Sequence, residues 1–293
     1  MKLKILIGLA LIVGFSVIIL LLEKPEKVGI KDSSQASGIN ERQLLELVQL
    51  ENEAAKGEDL TTTKHTPDYT EMFPDLYTEY LVPGAPNKEK KVAYLTFDDG
   101  PSKNTFEVLD ILKEYDIKAT FFIVGSAINE EGEDSLKRMM YEGHVIGIHT
   151  YSHMCNKIYC SIERFLDDFN TVYQQIYDIT GERVNIFRFP WGSNNKYNAK
   201  IKDALIDEME RRGFSCYDWN VSADDSIGNP TSSSILRNIR KDLKRQNNPI
   251  ILMHDSKIND LTVEMLPDII KMISDMGYEF DTLDHREPYV FPW

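Results

Sequence analysis

Apolar residues fall along this chain in three regimes. Residues 5–22 form an 18-residue run without a charge, residues 23–90 are mostly polar, and from residue 92 short β-rich runs alternate with helix-like stretches. In the third regime the runs 92–97, 119–124, 145–148, 184–187, 214–217, 249–253 and 278–282 predict strands. Stretches with helical spacing lie between them, at 106–115, 134–142, 162–179, 197–212, 232–245 and 263–276. Strands that alternate with helices run parallel. The fold class expected is therefore α/β, a partial (β/α)7 barrel with parallel strands, with an open doubly wound sheet as the alternative.

The first regime poses a different solvent problem. As a helix, residues 5–22 would span about 27 Å, close to the ~30 Å hydrocarbon core of a bilayer. A secretory signal peptide is the competing reading, but residues 22–25 offer neither a small-x-small cleavage pattern nor a lipid-accepting cysteine. Lys2 and Lys4 orient the N-terminus inward by the positive-inside rule. The expected organisation is a transmembrane anchor over 1–22, an extracytoplasmic stalk over 23–90, a catalytic domain over 91–285 and a C-terminal tail over 286–293. The expected location is the cell membrane, single-pass, with secretion after cleavage as the alternative. Within the stalk, residues 31–38 are small and polar, residues 40–56 suggest a short amphipathic helix, and four prolines follow before residue 91.

Charge and cysteines narrow the classes. A net charge of −14 argues against a nucleic-acid surface, which needs clustered Lys and Arg. No protein partner is indicated. The three cysteines, Cys155, Cys160 and Cys216, are no disulfide framework. Either Cys155 and Cys160 bridge a short loop, or all three are free thiols.

The chemistry gathers at strand ends. Asp98 and Asp99 follow the first predicted strand, His149 and His153 the third, Arg188 and Trp191 the fourth, Asp218 and Trp219 the fifth, and His254 the sixth. In a parallel barrel these positions share one rim, where active sites are built. Gly100-Pro101 breaks the strand, so that two adjacent aspartates can converge on one site. His149 and His153 stand four apart and share a face in a helical turn. With one carboxylate they make a three-ligand set suited to Zn²⁺, which keeps a fourth position for water; Co²⁺, Ni²⁺ and Fe²⁺ also fit. Arg188, a permanent cation at an acidic rim, is expected to pair with Asp98. His65, His144 and His285 lack such company and read as structural or exposed.

Taken in order, Thr96-Phe97-Asp98-Asp99-Gly100, His149-Thr150-Tyr151-Ser152-His153, Arg188-Phe189-Pro190-Trp191-Gly192, Asp218-Trp219-Asn220 and Leu252-Met253-His254 resemble the signatures of the polysaccharide deacetylase family, carbohydrate esterase family four. The resemblance spans roughly residues 91–282 and is nearest to membrane-anchored peptidoglycan and chitooligosaccharide N-deacetylases. It implies one divalent metal ion on Asp99, His149 and His153, and Asp98 as catalytic base oriented by Arg188. It further implies His254 as general acid with Asp218 setting its protonation, an oxyanion donor in the Trp191 amide, and an acetyl pocket walled by Trp219 and Leu252. The implied reaction is hydrolytic N-deacetylation of an amino-sugar polymer, with a cell-wall glycan, most simply peptidoglycan, as substrate. O-acetyl ester hydrolysis on a wall polysaccharide or xylan, and non-catalytic glycan binding, are the alternatives. Trp191 departs from the tyrosine that many relatives carry there.

Overall fold

The structure, a computed structural model, describes residues 69–80 and 90–292. The expected anchor, the 40–56 helix and most of the stalk lie outside the described residues. Among those described, no helix is long and apolar enough to cross a membrane.

Among the described residues eight parallel strands form one sheet: β1 (Val92–Gly100), β2 (Thr120–Ile123), β3 (Val145–Ile148), β4 (Ile186–Phe187), β5 (Ser215–Cys216), β6 (Val221–Ser222), β7 (Ile250–His254) and β8 (Glu279–Phe280). Their order is β5-β4-β3-β2-β1-β7-β6, with β8 also on β1. The expected parallel, incomplete barrel is therefore present, with one strand more than predicted. That strand, β6, is two residues long and too short to leave a hydropathy signal. The helices are α1 (Lys103–Glu114), α2 (Glu130–Tyr141), α3 (Cys155–Ile158), α4 (Ile162–Thr180), α5 (Lys202–Arg211), α6 (Ser232–Leu243) and α7 (Asp260–Asp275).

Alternation along the strands sorts the core into two layers. Leu95, Phe97, Phe121, Ile146 and Ile251 face outward into the helix layer. Tyr94, Phe122, Ile186, Tyr217 and Ile250 fill the barrel interior. Burial on both faces is why these strands read as unbroken apolar runs. Helix starts follow cap chemistry: Ser102 and Thr105 form a capping box at α1, and Asn129 caps α2 ahead of three acidic residues in its first turn. The helix expected from residue 197 begins only at Lys202, because Asn195 and Asn198 bind the preceding turn into a local hydrogen-bonded loop.

The stalk expectation meets a limit at residues 69–80, which are bound to the barrel. Arg212, fully buried, donates to the carbonyls of Tyr69, Met72, Phe73 and Leu76 at 2.6–3.1 Å and pairs with Glu208 at 2.7 Å. Leu76 is itself fully buried in the helix-layer core.

Candidate active site

The register sets the site. β1 and β7 pair so that Asp98 stands opposite His254, both at the carboxyl end of the sheet. Asp98 is 2% exposed, and Arg188, fully buried behind it, donates from Nη1 to Asp98 Oδ1 at 2.7 Å. The guanidinium is itself held by Thr96 Oγ1 at 2.9 Å and the Tyr217 carbonyl at 2.7 Å, and lies 4.1 Å above the Phe122 ring. The expected pairing of Arg188 with Asp98 is thus present. Burial is the larger influence on the carboxyl and outweighs Arg188, raising the Asp98 pKa to about 6.

Asp99 turns the other way. It occupies the left-handed region at φ 71°, as do Thr150 at 68° and His153 at 49° in the loop opposite. Such conformations carry strain that surrounding contacts must hold. The holder for the histidine loop is Asp168 on α4, whose Oδ1 accepts from Tyr151 N at 2.7 Å and Ser152 N at 3.0 Å. Sequence reading passed over Asp168, although a carboxylate on the apolar face of α4, next to Phe165 and Phe169, is a readable anomaly.

The two loops bring Asp99 Oδ1 to 3.6 Å from His149 Nε2 and 3.3 Å from His153 Nε2. His149 Nδ1 lies 2.9 Å from the Arg188 carbonyl, which can only accept, so Nδ1 carries the hydrogen and Nε2 presents its lone pair. Burial lowers the pKa of both imidazoles, against the pull of Asp99 on His153, and keeps them neutral. Asp99 Oδ1 is buried without a hydrogen-bond partner. Two neutral nitrogens and one orphaned carboxylate oxygen, all within 4.8 Å of one another, fit a divalent cation.

His254 departs from expectation in its partner. Its Nδ1 donates to Asp225 Oδ1 at 2.8 Å, and Asp225 Oδ2 takes His254 N at 2.8 Å and Thr262 Oγ1 at 2.7 Å. Burial opposes the imidazolium, but the hydrogen bond and charge of Asp225, helped by Asp98 and Asp99, raise the His254 pKa to about 9. Asp218, expected in this role, instead accepts from Ser193 N at 2.8 Å and Phe291 N at 2.7 Å. The reason is strand order: β6, ahead of Asp225, borders β7, whereas β5, ahead of Asp218, lies at the opposite edge of the sheet.

The remaining expected residues ring this centre. Trp191 is 45% exposed, its ring centroid 4.7 Å from that of His153, and among the described residues its N–H meets no protein acceptor. Trp219 is half-buried, and Leu252 is 7% exposed on β7. All three cysteines are free. His144 is buried and accepts from Ala119 N at 3.1 Å, a structural role, and His285 is exposed.

Comparison with known proteins identifies the family. The sequence model of the polysaccharide deacetylase family matches residues 85–207. A curated relative from Bacillus cereus, named peptidoglycan-N-acetylglucosamine deacetylase, is 35% identical over 209 residues, covering 70% of this chain and 73% of its own. The chain belongs to the polysaccharide deacetylase family. Another relative, peptidoglycan-N-acetylmuramic acid deacetylase of Bacillus subtilis, is 29% identical over 74% of this chain and 80% of its own. Among solved structures, the catalytic domain of a peptidoglycan N-acetylglucosamine deacetylase from Eubacterium rectale superposes with a TM-score of 0.64 at 31% identity, covering 74% of this chain and 98% of that one. Members of this family depend on a metal ion.

Proposed function

We propose that the protein hydrolyses N-acetyl groups from the amino sugars of a cell-wall glycan, peptidoglycan foremost, and releases acetate. The observation that carries this reading is a buried pair, Arg188–Asp98, and a partly buried one, Asp225–His254, whose Asp98 and His254 end adjacent strands beside a three-ligand cation site. A divalent metal, Zn²⁺ by donor chemistry, would be held by Asp99, His149 and His153 and would supply Lewis acidity toward the acetamide and the attacking water.

The chain's own groups divide the proton work. Asp98, ionised and oriented by Arg188, accepts the proton of water as it attacks the acetamide carbon. The Trp191 N–H donates to the oxygen that gains charge in the tetrahedral state. His254, held protonated by Asp225, then gives its proton to the departing nitrogen. An amide nitrogen leaves only as the amine, so a strongly held acid suits an amide better than an ester, whose alkoxide needs less help. Trp219 and Leu252 wall the acetyl methyl. The exposed Trp191 indole, with Tyr197 at 5.7 Å, supplies a flat apolar face for sugar rings.

Acetate release from matched N-acetylated and O-acetylated oligosaccharides tests the reading. The N-acetylated substrate should be preferred; faster release from the ester would move the protein to O-acetyl esterase. Residues 1–22 complete the proposal as a membrane anchor that keeps the barrel outside the cell, with residues 23 to about 68 as its tether.

A further inference from the structure

The barrel's seam between β5 and β6 is filled by the end of the chain. Leu283 is fully buried in the interior cluster. The Arg286 carbonyl accepts from Tyr217 Oη at 2.6 Å, and the Arg286 guanidinium donates to the Asn248 carbonyl. Tyr289 then pairs in parallel with Tyr217, just past β5, on the side that has no strand neighbour among the described residues, and its carbonyl accepts from Asp218 N at 2.6 Å. Most of the segment expected as a C-terminal tail is thus a strap along the barrel.

Two residues further on, the strap reaches the rim. Phe291 N donates to Asp218 Oδ2, and the same carboxylate takes both Ser193 N and Ser193 Oγ. One buried group therefore staples the strap to the loop that carries Trp191. The Phe291 ring stands edge-on to Trp219, centroids 4.9 Å apart at 82°. The same ring presses on Gly192, where an added Cβ would lie 2.5 Å from Phe291 Cε2. At φ 81° that position already favours glycine. Trp219, so braced, packs against the interior cluster with the Arg188 guanidinium 5.7 Å from its ring.

A pocket distinguishes acyl groups that differ by one methylene only as far as its wall resists displacement. An edge-to-face aromatic pair backed by a glycine contact makes such a wall. We infer that Phe291 is a specificity-determining positioning residue, which holds Trp219 in place so that the site takes acetyl and refuses longer acyl groups. This rests on the deacetylase reading above.

The test uses the full chain with its metal and matched N-acetyl and N-propionyl chitooligosaccharides. Wild type should favour acetyl strongly. Phe291→Ala should lower the acetyl-to-propionyl ratio of kcat/KM about tenfold, and Phe291→Tyr, which keeps the ring edge, should restore it. If the alanine variant does not fold, Phe291→Leu fills the glycine contact without a ring edge and carries the same comparison. A folded variant lacking the ring whose ratio stays within about twofold of wild type overturns the inference and leaves the deacetylase reading standing. A wild-type protein that releases no acetate overturns both.

Discussion

Four side chains at the rim act as two pairs, and each pair fixes a protonation state. Asp98 must be ionised to accept a proton, and burial has moved its pKa up to about 6, so activity should rise with pH through that value. His254 must be protonated to donate, and Asp225 has raised its pKa to about 9, so activity should fall as pH rises through it. The profile of kcat/KM is therefore a bell between these limits, and a bound cation, adding positive charge nearby, pulls both limbs downward. Asp225→Asn removes the group that raises His254. Its alkaline limb should move to lower pH while the acid limb stays. A variant whose alkaline limb is unmoved would detach Asp225 from the general acid. The metal ligands work at the same scale: Asp99 Oδ1 is an acceptor that the protein leaves unsatisfied, and His149 is turned by the Arg188 carbonyl to present Nε2.

At the scale of elements, strand order decides which residues can cooperate. The ends of β1, β3, β4 and β7 are legible in the sequence because each closes an apolar run, so Asp98, Asp99, His149, His153, Arg188 and His254 can be placed at one rim in advance. Asp225 escapes because β6 spans two residues, and because sequence alone does not tell that β6, and not β5, borders β7. The family resemblance implies Asp218 as the partner of His254, but its carboxylate faces Ser193 and the C-terminal strap. Residues 69–80 escaped for another reason: they have no periodicity of their own and are ordered by side-chain donation from Arg212. Arg212→Ala leaves four carbonyls without their buried donor, while Glu208 keeps Arg211 at 2.7–2.8 Å. It should cost about 3 kcal/mol in urea unfolding, with metal affinity little changed. A loss below about 1 kcal/mol would mean that the segment is held by other contacts.

For the whole molecule, the incomplete barrel concentrates polar chemistry at one end and closes the rest with apolar packing inside and out. The proposed anchor would hold that rim near the wall. Cell fractionation checks this last point: the intact chain should sediment with membranes, and a chain lacking residues 1–22 should not. Recovery of a shortened, soluble chain from the wild-type gene would replace the anchor with a cleaved signal. The central claim is that Asp98 performs the proton transfer beside a cation held by Asp99, His149 and His153. It is tested most directly by measuring bound metal and acetate release together for wild type, Asp98→Asn and His153→Ala. Asp98→Asn should keep its metal and lose turnover by about 10³-fold, whereas His153→Ala should lose the metal and activity together. Near-normal turnover in Asp98→Asn, or full metal content in His153→Ala, would contradict the division of labour proposed for this rim.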